Sequence, residues 1–124
     1  METAERQRLR DEFVAVRGYW SPLLESLLEV DPGFFEQYLA LATAPWREGA
    51  LEPKVKELIY TAFDCAATHM YVPGLRQHIE NALGYGATPA EVMEVFELAT
   101  PIGIHPFTSG LPILLEELGR AGAS

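Results

Sequence analysis

The side chains best suited to chemistry crowd into residues 54–88, which hold the only cysteine, Cys65, and two of the three histidines, His69 and His78. An imidazole is tuned easily to work near neutral pH, and one turned inward needs a hydrogen-bond partner. On a helix opened by Pro53, the residues Leu58, Ala62, Cys65 and His69 fall at offsets 0, 4, 7 and 11. That spacing puts Cys65 and His69 one turn apart on one side, with His69 near the centre of the apolar face. His78 lies on the apolar side of the helix that follows the Pro73-Gly74 bend. Either the two imidazoles act on a ligand, or both are satisfied core histidines; no complete motif decides between these. Cys65 reads as a nucleophile with His69 as its base, or as a small buried hydrophobe with nothing basic nearby to favour the thiolate.

Arg76 stands one turn from Glu80, which suits a surface ion pair, and close in sequence to His78, where a guanidinium would grip a substrate carboxylate with two prongs. Glu57 shares a polar side with Thr61, Asp64 and Thr68, a solvated face unless another helix or subunit covers it. A metal site built from His69, His78 and His105 matches no standard ligand spacing, so no metal is expected.

Helices must position these groups. Leu9, Phe13, Val16 and Trp20 make one apolar stripe over residues 4–20, with Arg6, Arg8, Arg10, Glu12 and Arg17 opposite. Ser21-Pro22 and Asp31-Pro32 are N-cap and first-turn signals for two further helices, the second ending at Pro45. The helix from Pro53 has a broad apolar face of Val55, Leu58, Ile59, Ala62, Phe63 and Ala66 and should fade near Tyr71. Pro73 opens the next, which Gly84 and Gly86 stop. Thr88-Pro89-Ala90-Glu91 is a capping box, and its helix is interrupted by Pro101, Gly103 and Pro106. A last helix over 107–118 contains Pro112, so it is either kinked or starts at Leu111. Strand-like alternation is absent, and the chain reads as all-α with six or seven helices.

The 124 residues suit a single domain, with about half the residues apolar. A net charge of -9 repels phosphate backbones and anionic lipid, so neither nucleic acid nor membrane is an expected partner. A lone cysteine, a charged opening segment and no membrane-length apolar run point to a cytoplasmic location.

Three stretches together resemble the carboxymuconolactone decarboxylase family, which shares a helical fold with AhpD-type alkylhydroperoxidases. They are K-E-L-I at 56–59, P-G-L-R-Q-H-I-E-N-A-L at 73–83 and G-A-T-P-A-E-V-M-E-V at 86–95, with weaker similarity through A-T-P-I-G-I-H-P. The resemblance implies an AhpD-like domain over 1–124, with 51–118 as the family core and 1–50 as an N-terminal helical extension. The peroxidase branch has a Glu, then C-x-x-C, then a histidine four residues on. Counting forward from Glu57 puts the first cysteine slot at His69, while counting back from His78 puts the two slots at Tyr71 and Gly74. The chain therefore carries an insertion around 70–73 and neither cysteine, so alkylhydroperoxidase-like antioxidant activity, which needs two thiols, is the least favoured reading.

Leu75, Arg76 and His78 match the L-R-x-H segment of the decarboxylase branch. The resemblance implies a cofactor-independent carboxy-lyase acting on a small carboxylated organic acid or lactone of aromatic catabolism. Loss of carbon dioxide leaves an extended enolate that needs a proton donor and local positive charge. His78 would be the acid/base, Arg76 the carboxylate holder and His69 a second polar group in the pocket, with Glu57, Tyr71 and His105 in support. The family implies no metal or organic cofactor and a homotrimer or homohexamer. The alternative is a family member that binds a ligand or serves as a scaffold without catalysis.

Overall fold

The computed structural model of the chain describes residues 1–66 and 68–123. Among them are seven α-helices and no strand: α1 Thr3–Arg17, α2 Pro22–Val30, α3 Pro32–Arg47, α4 Pro53–Cys65, α5 Val72–Gly84, α6 Pro89–Ala99 and α7 Leu111–Ala123. A 3-10 turn, Thr100–Ile102, and a π-helical turn, Pro106–Gly110, lie between α6 and α7. The all-α expectation holds. The helices fall into two units, Met1–Ala50 and Leu51–Ser124.

In the first unit the sequence pattern is also the packing pattern. Leu9 and Phe13 of α1, Leu24 and Leu28 of α2, and Phe35 and Leu39 of α3 form one buried cluster. Ser21 Oγ accepts the Leu24 N–H at 3.3 Å and Asp31 Oδ1 accepts the Phe34 N–H at 3.1 Å, so each predicted cap starts its helix. Two expectations need correcting. Arg17 is buried rather than on a polar face, with its guanidinium 4.0 Å from the centre of the Trp46 ring and 5.2 Å from that of Tyr19. Pro45 does not end α3, which continues to Arg47. The carbonyl four residues before it, which gets no N–H from a proline, belongs to Leu41, an exposed residue on the solvent side of the helix.

In the second unit α4 packs along α5, and Cys65, Leu75, Ile79, Val92, Phe96 and Leu114 join α4, α5, α6 and α7 in a second core. The capping box of α6 is complete: Thr88 Oγ1 accepts the Glu91 N–H at 3.1 Å and Glu91 Oε1 accepts the Thr88 N–H at 2.9 Å. Pro112 falls in the first turn of α7, which starts at Leu111, so its missing N–H costs no helical bond there. Gly110 lets the chain pass so close to the Phe96 ring that a Cβ would collide with it.

The largest departure from the sequence pattern is the end of α4. The helix stops at Cys65, not near Tyr71; Ala66 is extended, with ψ 139°. The chain then reverses through Met70, whose φ of 38° is unusual for a side-chain-bearing residue. The Tyr71 N–H closes the bend on the Asp64 carbonyl at 3.0 Å, and the Met70 N–H on that of Ala66 at 2.8 Å. His69 thus sits in a turn, not one helical turn beyond Cys65.

Candidate functional site

The polar side of α4 is the buried one. Glu57, Thr61 and Asp64, at offsets 0, 4 and 7, are 0%, 0% and 8% exposed. The expectation of a solvated face is overturned because α5 covers this stripe and brings a histidine to it. His78 Nδ1 lies 3.0 Å from Glu57 Oε2. A carboxylate only accepts, so Nδ1 carries the donated proton and Nε2 is left to act on something else. Nε2 lies 3.6 Å from Asp64 Oδ2, while the other Asp64 oxygen, Oδ1, is 3.1 Å from His69 Nε2. The Tyr60 ring stacks on the His78 imidazole, centres 4.7 Å apart at 37°. Thr61 satisfies its own hydroxyl by donating to the Glu57 carbonyl at 2.8 Å. The result is a continuous chain of groups, Glu57, His78, Asp64 and His69, that runs from the interior to the surface.

Burial raises the pKa of the Asp64 carboxyl, and the nearby Glu57 charge adds to that; His78 and His69 pull it back without cancelling the rise. Gly74, in the first turn of α5, makes the approach of Asp64 to α5 possible. A Cβ there would run into Asp64 Oδ2 and the Tyr71 ring.

The apolar side of α4 is the half-open one. It forms one wall of a groove of about 740 Å³. Leu58 and Phe63 of α4, Val95 and Leu98 of α6, and Ile102 of the 3-10 turn line it. Its described polar lining is Asp64, Thr68 and His69. The buried chain of groups therefore opens into the end of an apolar groove.

The structure brings Glu57 and His78 into contact, and His69, which is largely exposed, meets them through Asp64. Tyr71 flanks His69, ring centres 6.5 Å apart. Arg76 does not join them. It is two residues from His78 on α5, which turns it to another side. Its partners are Glu116 and the buried Glu117 of α7, the latter at 3.0 Å, not Glu80. His105 is exposed at the head of the π-helical turn. Cys65 is fully buried, and burial pushes its thiol up to about 11, which leaves it a packing residue. Among the described residues no group of three His, Cys, Asp or Glu side chains is arranged to hold a metal ion.

Asp64 is the residue that sequence reasoning missed. The signal was the regular 0, 4, 7 spacing of Glu57, Thr61 and Asp64, a polar stripe as periodic as an apolar one.

The sequence model of the Carboxymuconolactone decarboxylase family matches residues 32–107. A crystal structure from Burkholderia xenovorans, named "putative gamma-carboxymuconolactone decarboxylase subunit", is similar at 50% sequence identity with a TM-score of 0.78. The likeness covers 98% of this chain and 48% of that one, so the chain spans about half the length of this relative. No curated protein matches the chain. No helix among the described residues is long and apolar enough to cross a membrane.

Proposed function

The chain belongs to the carboxymuconolactone decarboxylase family, and we propose that it is a cofactor-independent lyase that moves a proton on a small carboxylated organic acid or lactone. The observation that carries this reading is the 3.0 Å contact between His78 Nδ1 and the buried Glu57 carboxylate. It fixes the orientation of the imidazole and the nitrogen that faces Glu57, which is how an acid/base histidine is positioned. When the carbon–carbon bond to a substrate carboxylate breaks, its electron pair enters the conjugated lactone carbonyl. The resulting enolate must then be protonated on carbon. His78 is the proton source of the site, and water restores its proton. The apolar groove would hold the ring of the substrate and exclude water from the enolate.

Turnover of a carboxylated unsaturated lactone, followed as carbon dioxide release, tests the proposal. His78→Gln should lower kcat by about 100-fold or more while the helical signal and oligomeric state are kept. Unchanged turnover in that variant, or a wild type inert toward every lactone offered, would overturn it. Self-assembly into a trimer or hexamer belongs to the same proposal and is read by light scattering; so does a cytoplasmic location, which the lone free thiol favours.

One observation favours a second reading, a family member that binds without catalysis. Arg76 is held by Glu116 and Glu117, and the groove's described lining offers an incoming acid a carboxylate, Asp64, and no lysine or arginine. On that reading His78→Gln weakens ligand binding, and there is no turnover to lose.

A further inference from the structure

Of the four groups in the buried chain, Asp64 and His69 line the groove, and Glu57 and His78 do not. His78, with 15% of its side chain exposed, faces the groove across Asp64. We infer that Asp64 is the catalytic residue that meets the substrate, and that His78 is the group that reloads it with a proton. This rests on the lyase reading and adds a residue to it.

Three observations converge on Asp64. Its two oxygens are divided between two imidazoles on opposite sides, Oδ2 toward His78 and Oδ1 toward His69, which is the placement of a relay and not of the end of an ion pair. It stands where the buried polar stripe of α4 reaches the groove, so it is the first acid a ligand would encounter. Gly74, which leaves room for Asp64 Oδ2 where a Cβ would collide, keeps that carboxylate against α5. The rise in its pKa suits a carboxyl that is to donate, since burial favours its protonated form.

The step balances as follows. The substrate loses carbon dioxide and keeps the electron pair as an enolate. The Asp64 carboxyl gives its proton to the enolate carbon, forming the new C–H bond, and is left as carboxylate. It then takes a proton from Nε2 of the doubly protonated His78 ring, whose Nδ1–H stays on Glu57, and the neutral imidazole left behind recovers that proton from solvent. The 3.6 Å separation of Nε2 and Oδ2 is longer than a hydrogen bond, as such contacts often are before a substrate closes the site.

The test is kinetic, on the full chain, with a carboxylated unsaturated lactone that the wild type turns over. Asp64→Asn keeps the shape and cannot pass the proton; kcat should fall about 100-fold or more while KM stays within about threefold. The groups facing Asp64 are His78 from α5, His69 from the bend and Glu57 from α4. The variant should lose the limb of the kcat profile that falls as the Asp64 carboxyl gives up its proton. A merely structural Asp64 would leave that limb in place. His69→Gln, at an exposed position, should cost less than about tenfold. Should the asparagine variant not fold, Asp64→Ser repeats the comparison with a smaller side chain. Near-wild-type kcat in a folded Asp64 variant, or a larger loss in His69→Gln than in Asp64→Asn, overturns the inference and leaves the lyase reading standing. A wild type without turnover overturns both.

Discussion

Helices α1 and α4 obey opposite rules. In α1 the apolar stripe of Leu9 and Phe13 is inside, each 1% exposed. In α4 the polar stripe of Glu57, Thr61 and Asp64 is inside, and Phe63, from the apolar side, is 58% exposed. Burying carboxylates is costly unless they are paired, so the inversion needs a reason beyond stability. The reason available in the second unit is His78, held at one nitrogen and aimed toward Asp64 at the other. Apolar packing organises α1, and a set of paired titratable groups organises α4.

The sharpest way to break this contrast is to truncate one phenylalanine from each helix. Phe13→Ala should cost about 3–5 kcal/mol of unfolding free energy, because it empties a space enclosed by Tyr19, Trp20 and Phe35. Phe63→Ala should cost no more than about 1 kcal/mol and act instead on substrate affinity. Equal losses in urea unfolding would mean that the groove wall is core after all.

Gly74→Ala comes next. The added Cβ collides with both Asp64 Oδ2 and the Tyr71 ring, so both must move. Overpacking of this kind costs about 1–3 kcal/mol. It should also lower turnover, since one of the displaced groups is the proposed proton donor. A variant of wild-type stability and rate would show that Asp64 has room to spare.

Glu57→Gln keeps a hydrogen-bond partner for His78 and removes the charge. Its stability cost should be about 1 kcal/mol, the scale of one altered hydrogen bond. The rate should fall further than that figure suggests, because a neutral amide no longer sets a negative charge against the His78 ring during proton transfer. A rate loss no larger than the stability loss would reduce Glu57 to a packing role.

Much of this was legible in the sequence. Ser21, Asp31 and Thr88 announced three helix starts because a cap is a local event, one side chain bonded to an N–H three residues on. Leu9, Phe13, Leu24, Leu28, Phe35 and Leu39 were legible because each apolar stripe in the first unit meets another. The end of α4 was not legible. Nothing from Cys65 to His69 forbids a helix; what stops it is the Tyr71 N–H on the Asp64 carbonyl, a bond made by the returning chain. Nor did a helical wheel reveal which side of α4 was covered, since the covering residue, His78, is 21 positions from Glu57. A longer separation hid Arg76 among the carboxylates of α7, where Glu117 is 41 positions away.

The smallest effect separates the two helices by pH. Asp64 has its folded pKa raised above the ordinary 3.8, chiefly by burial. Below the unfolded value the carboxyl is protonated in both states, and its contribution to stability is fully present. As pH rises through the raised folded value, the folded protein must surrender a proton that the unfolded chain has already lost, and that contribution disappears. Asp64→Asn carries no such charge. Its Tm, relative to the wild type, should therefore climb as pH rises from below 3.8 through the folded pKa of Asp64 and then level off. Arg17→Gln on α1, which removes no carboxyl group, should show a Tm difference independent of pH there. A flat difference for Asp64→Asn would mean that its two histidines fully repay the burial of that carboxylate. The inversion of α4 would then need no functional explanation.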